Sequence, residues 1–130
     1  MLGIWHDYAA IYLIVAGVAM LAAFGIPLVV APMRWARFLH WEIPPPSQLV
    51  TFLGRSLGLF ICVIAVYAFR AAAVPQAMPF FFELMLLLFV GMIALHAYGA
   101  ITKAQPITET IEIALWVALL LVTVAFFPIT

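Results

Sequence analysis

The run QLVTFLGRSLGLFICVIAVYAF, residues 48–69, decides the fold. It is almost wholly apolar and carries a single charge, Arg55, between Gly54 and Gly58. A helix of about 20 residues is roughly 30 Å long, which matches the hydrocarbon core of a bilayer. Three more runs have the same character. Together they predict spans at about 8–30, 48–70, 80–101 and 107–127. Short connections make sequential helices antiparallel neighbours. The expected fold is therefore all-α. It is a four-transmembrane-helix antiparallel bundle, up-down-up-down, forming one membrane domain over residues 1–130.

Composition agrees. Of 130 residues, 69% are hydrophobic and 8% charged. A water-soluble domain of this size leaves too much area exposed to hide so much apolar surface. The formal net charge is zero, so no basic field is present to attract nucleic acid. The one cysteine, Cys62, has no partner for an intrachain disulfide and no metal-ligand spacing. The first residues lack Lys and Arg and carry Asp7, unlike a cleaved leader, so the first helix is expected to be retained.

Along the chain, Tyr8 and Tyr12 suit an interfacial aromatic belt. Pro27 removes a backbone donor, so the first helix is expected to kink or end there. Residues 33–42 follow, where Arg34, Trp35, Arg37 and Trp41 alternate with apolar side chains. This pattern fits either a short amphipathic helix lying in the headgroup plane or a positively charged loop with aromatic anchors. Pro44, Pro45 and Pro46 form an extended connector, and Ser47 is a suitable N-cap for the second span. Gly54 and Gly58, four residues apart, allow another helix to approach closely. Residues 71–79 read as a loop, and Pro106 suits the first turn of the last helix. On the third span, Met78, Met85 and Met92 alternate with Phe82 and Phe89, a packing or lipid-contact stripe rather than a ligand box.

Orientation follows from the loops. Arg34, Arg37 and Lys103 share one side, and Arg70 lies on the other. The positive-inside rule then puts both termini outside the cytoplasm of a bacterial-type inner membrane.

Arg55, His96, Glu109 and Glu112 fall at similar depth in the cytoplasmic leaflet, at about 1.5 Å per helical residue. An unpaired charge there costs about 3 kcal/mol on insertion scales. The expected main pair is Arg55–Glu112, with Glu109 nearer the headgroups and His96 alongside. A purely structural role, fixing helix register, is the plainer alternative. His96 admits three readings: a satisfied core histidine, a proton carrier beside Glu112, or an axial ligand to a pigment.

The sequence resembles the DoxX-like group of small four-helix membrane proteins. The resemblance rests on Gly25-Ile26-Pro27 closing the first span, Gly54-Arg55-Ser56-Leu57-Gly58 opening the second, and a last helix with Glu112 and Trp116. It implies a four-helix fold and, for some members, association with redox partners or quinone-linked complexes. It assigns no catalytic residue.

No nucleophile-base grouping, phosphate loop or metal-ligand spacing is evident, so neither an enzyme nor a cofactor is expected. Three functions stay open. The first is an accessory subunit or scaffold, packing against a larger energy-converting or transport complex or against its own copies. The second is a binder or carrier of a lipid-like molecule, such as a quinone or isoprenoid. The third is proton-coupled transport. A cavity between helices, with the polar cluster turned towards it, is the feature that favours the second over the first.

Overall fold

The computed structural model describes residues 2–129. Four helices are long and apolar enough to cross a membrane: His6–Val30, Gln48–Ala73, Pro75–Thr102 and Ile107–Phe126. Among the described residues there is no strand. At most 28% of the apolar window of any span is buried. Ile11, Phe60, Leu87 and Ile101 are among the many large apolar side chains pointing outwards. Water does not tolerate so continuous an apolar surface, and hydrocarbon does. This is the surface of an integral membrane protein.

The first span is not uniform. It consists of α1 (Ala9–Met20), a π turn (Leu21–Gly25) and α2 (Ile26–Val30). Pro27 explains the interruption. Its ring crowds the preceding turn, and it offers no N–H to the carbonyl of Ala23, one turn back. The turn widens, so that the Ile26 N–H reaches back to Leu21 O. The indole N–H of Trp35 then donates to Ala23 O at 2.8 Å. The helix neither ends nor loses its satisfied backbone, and it continues to Val30.

Trp35 belongs to α3 (Pro32–Phe38). This helix closes with His40 in the left-handed region, φ 64°. Two hydrogen bonds complete the stop, His40 N to Arg37 O at 3.0 Å and Trp41 N to Ala36 O at 3.1 Å. That pairing is a Schellman motif, here built on a non-glycine residue. Next comes α4 (Gln48–Ala73), whose N-cap is Ser47; its Oγ accepts from Val50 N at 3.4 Å. The helix runs four residues past Phe69, and α5 (Met78–Thr102) already includes Pro79. The loop expected at 71–79 is thus shorter, because a proline in a first turn lacks only a donor that would be idle anyway. The last helix is α6 (Ile107–Phe126).

Two seams hold the bundle. The first span packs on α4, and α5 packs on α6. Small residues make the first seam close: Gly17, Gly25, Gly58, Ala65 and Ala68 are buried. A methyl group at position 58 would lie 2.6 Å from Val29 N and 2.9 Å from Gly25 O. One at position 54 would lie 2.6 Å from Pro32 Cβ. Gly54 and Gly58 therefore face segments of this same chain.

Phe82, Met85 and Phe89 point into the core with Leu13 and Trp116. The methionine–phenylalanine stripe is thus turned inwards at its centre. Tyr12 also differs from expectation. Tyr8 is exposed, but Tyr12 turns inwards, with its hydroxyl 2.5 Å from the fully buried Thr123 Oγ1. The N-terminal turn closes this end of the molecule. Gly3 N and Trp5 N donate to Val124 O and Ala125 O, each at 2.9 Å. Those carbonyls belong to the last turn of α6, where helical donors run short and Val124 O otherwise receives the Phe127 N–H at 3.3 Å.

Candidate functional site

Three titratable side chains meet where α5 ends and α6 begins. His96 sits near the end of α5, and Glu109 and Glu112 lie in the first turns of α6. The connecting turn fixes their register. Lys103 adopts φ 54°, and Ala104 N donates to Gly99 O at 2.9 Å. Gln105 folds back over Gly99, where a side chain would collide with it. Its Nε2 donates to His96 O at 3.0 Å and to Thr110 Oγ1 at 3.1 Å.

His96 is buried. Its Nδ1 lies 2.8 Å from Met92 O. A carbonyl only accepts, so Nδ1 carries hydrogen, and Nε2 is the ring atom that meets the carboxylates, with a proton or a cation needed between them. Nε2 is 3.0 Å from Glu109 Oε2 and 3.8 Å from Glu112 Oε2. The other oxygen of Glu109 accepts from the Trp41 indole N–H at 2.7 Å. Thr108 Oγ1 donates to Leu39 O, a second tie between α6 and the end of α3. Beyond the cluster lies Trp116, with its ring centroid 5.9 Å from that of His96. Among the described residues its buried Nε1 has no hydrogen-bond partner.

The structure brings His96, Glu109 and Glu112 together and leaves Arg55 out. Arg55 is exposed, beside a shallow hollow formed with Ser47, Gln48, Thr51 and Phe52. Among the described residues, the only basic side chain within 4.0 Å of Glu109 or Glu112 is His96. The Arg55–Glu112 pair is absent. The reason is azimuth. Gly54, Gly58 and Ala65 turn one face of α4 to the first span, while α6 packs on α5. Glu109 is the more buried and the closer to His96, with side-chain exposure of 10% against 17% for Glu112.

Glu112 opens onto a groove of about 720 Å³. Its wall is formed by the π turn, α2 and α3, including Phe24, Pro27, Val30, Trp35 and Phe38. Arg34 and Glu112 are its charged members. Of the other residues expected at the interface, Arg37 is exposed, Trp35 serves the Ala23 carbonyl, and Trp41 serves Glu109. As a pigment ligand, His96 would need a macrocycle centred on Nε2, and that would displace both carboxylates. Trp41 and Gln105 are the contributors that sequence reasoning missed, since no local pattern marks a side chain whose partner is distant in the chain.

Comparison with protein-family models, curated proteins and solved structures finds no match.

Proposed function

We propose that this is a small integral membrane protein that binds a lipid-like molecule, of the quinone or isoprenoid type, in the groove beside Glu112. One observation carries this reading: an apolar hollow of about 720 Å³ whose charged wall members are Arg34 and Glu112. Ligand pockets of about 300–1,000 Å³ are mostly apolar, with a few polar groups that orient the bound molecule. Here the apolar wall suits a hydrocarbon tail. Arg34 can donate to a carbonyl or phosphate oxygen, and Glu112 can accept from a hydroxyl.

The proposal includes a placement in the membrane. The four spans run up-down-up-down and antiparallel, and α3 lies in the headgroup plane. Arg34, Arg37 and Lys103 face the cytoplasm of a bacterial-type inner membrane, with both termini on the other side. The distribution of basic residues supports this arrangement. Membership of the DoxX-like group belongs to the same proposal. Its support is that two of the segments carrying the resemblance, Gly25-Ile26-Pro27 and Gly54 to Gly58, lie against one another.

The accessory-subunit reading ranks second. The outward apolar faces that would serve a partner are equally well covered by lipid, whereas a groove has no use in a scaffold. Proton-coupled transport ranks behind both, because it needs a polar path through the outer half of the bundle.

Tryptophan fluorescence tests the proposal. Trp35 lines the groove, so a short-chain ubiquinone analogue should quench emission of the detergent-solubilised protein saturably. An isoprenoid alcohol should compete. Ala22→Phe, which fills the groove, should abolish the saturable part. Quenching that rises linearly with quinone and ignores both the competitor and the substitution would refute groove binding.

A further inference from the structure

We infer that His96, Glu109 and Glu112 form a binding site for one divalent first-row transition cation. Nε2 of His96 and one oxygen of each glutamate all lie within 4.8 Å of one another. Bonds of about 2.0–2.2 Å let two ligands of one ion stand up to about 4 Å apart. His96 Nε2 stands 3.0 Å from Glu109 Oε2 and 3.8 Å from Glu112 Oε2, so a small inward turn of the Glu112 carboxylate closes the set.

Three independent features point to a cation rather than to a self-contained hydrogen-bond cluster. The first is the outer partners. His96 spends Nδ1 on the Met92 carbonyl and aims Nε2 inwards. Glu109 spends Oε1 on Trp41 and aims Oε2 at the same point. Such outer hydrogen bonds fix the orientation of metal-ligating histidines and carboxylates. The second is charge. Two carboxylates share an apolar bundle, and among the described residues the only basic side chain within 4.0 Å of either is an imidazole. Lipid-solvated charges are paired or hold ions, and no lysine or arginine among the described residues lies within 4.0 Å to do the pairing. The third is Trp116. It lies one helical turn beyond Glu112 and beside His96, and among the described residues its buried N–H has no acceptor. An oxygen carried into the site with a cation, such as bound water, would provide one.

The donor set is one nitrogen and two oxygens. It suits Zn2+, Mn2+ or Fe2+, and it disfavours Cu(I), which selects sulfur ligands. Three protein ligands leave coordination positions open, as in reactive rather than purely structural sites. Glu112 also lines the groove, so an open position there would reach a bound molecule's oxygen. The metal site does not depend on that reading.

The test uses full-length protein in detergent, stripped with chelator and titrated with Zn2+ by calorimetry and with Mn2+ by electron paramagnetic resonance. The expected result is one ion per chain and a rise in thermal midpoint on binding. Glu112→Gln and His96→Ala should each weaken binding at least tenfold. Trp41→Phe, which touches no ion, should weaken it by about ten- to a hundredfold. Glu83→Gln, an exposed carboxylate elsewhere, should leave it unchanged. Helicity by circular dichroism is checked for each variant, and Glu109→Gln, which keeps the side-chain shape, replaces any variant that fails to fold. Ala22→Phe should retain the ion while losing quinone quenching, so the two proposals fail separately. Absence of stoichiometric binding at millimolar Zn2+ and Mn2+ would overturn the inference. So would binding that Glu112→Gln and Glu109→Gln leave unchanged.

Discussion

The indole N–H of Trp41 lies 2.7 Å from Glu109 Oε1. This contact joins the end of α3 to the first turn of α6, and through Glu109 it sets the outer face of the polar cluster. Hydrogen bonds to charged acceptors contribute about 1.5–3 kcal/mol. Trp41 is partly open to its surroundings, which favours the lower end. Trp41→Phe should therefore destabilise the protein by about 1.5 kcal/mol, measured as a shift in the unfolding midpoint in mixed micelles. No shift would mean that Glu109 is held by His96 alone.

Gly58 and Gly91 make a paired prediction. Both lie inside long helices, where alanine is intrinsically better by about 0.5–1 kcal/mol. At position 91, among the described residues, nothing outside the helix's own backbone and the adjoining residues lies within 4 Å of an added methyl group. Gly91→Ala should then be neutral or slightly stabilising. At position 58 the methyl group meets the backbone of the first span at Val29 and Gly25. Backbone cannot swing aside, so Gly58→Ala should cost about 1–3 kcal/mol through overpacking. Equal effects of the two substitutions would show that the α4 seam is looser than described here.

The four spans were legible because the bilayer imposes length and apolarity on each of them separately. Ser47 as a cap and Pro106 ahead of the last helix were legible for the same local reason. The polar cluster was legible in part. Depth follows from counting residues, which assigns similar depth to His96, Glu109 and Glu112, and these three side chains do meet. Azimuth does not follow from counting. Whether α4 turns Arg55 towards α6 depends on which helices are neighbours, and that is decided by the glycine and alanine seam with the first span. Trp41 was illegible as a partner of Glu109, because the Schellman turn at His40 that aims it has no glycine to announce it.

The exposure of Arg55 leads to a prediction opposite to the one its sequence context suggests. A buried guanidinium paired with Glu112 would cost about 3–5 kcal/mol to remove. An exposed arginine that can extend its head towards the headgroups costs little. Arg55→Gln should change stability by less than about 0.5 kcal/mol. Combined with Glu112→Gln, its effect should be additive, as expected of residues that share no partner. A coupling above about 1 kcal/mol in that double-mutant cycle would restore the ion pair.

Trp35 and Pro27 should behave in the opposite way, as a coupled pair. Trp35 donates to the Ala23 carbonyl, the acceptor that Pro27 leaves without its helical partner. Trp35→Phe keeps the aromatic packing on Phe24, whose ring centroid is 5.7 Å away, and removes only the donor. An orphaned carbonyl in an apolar setting costs about 1–3 kcal/mol. Pro27→Ala supplies an N–H that can return the π turn to ordinary helix and satisfy Ala23 from within. In the Pro27→Ala background, Trp35→Phe should therefore cost much less than in the natural chain. Unfolding measurements on the four members of the cycle test this. Strict additivity would mean that the proline is not what recruits Trp35, and that α3 folds back against the first span for packing alone.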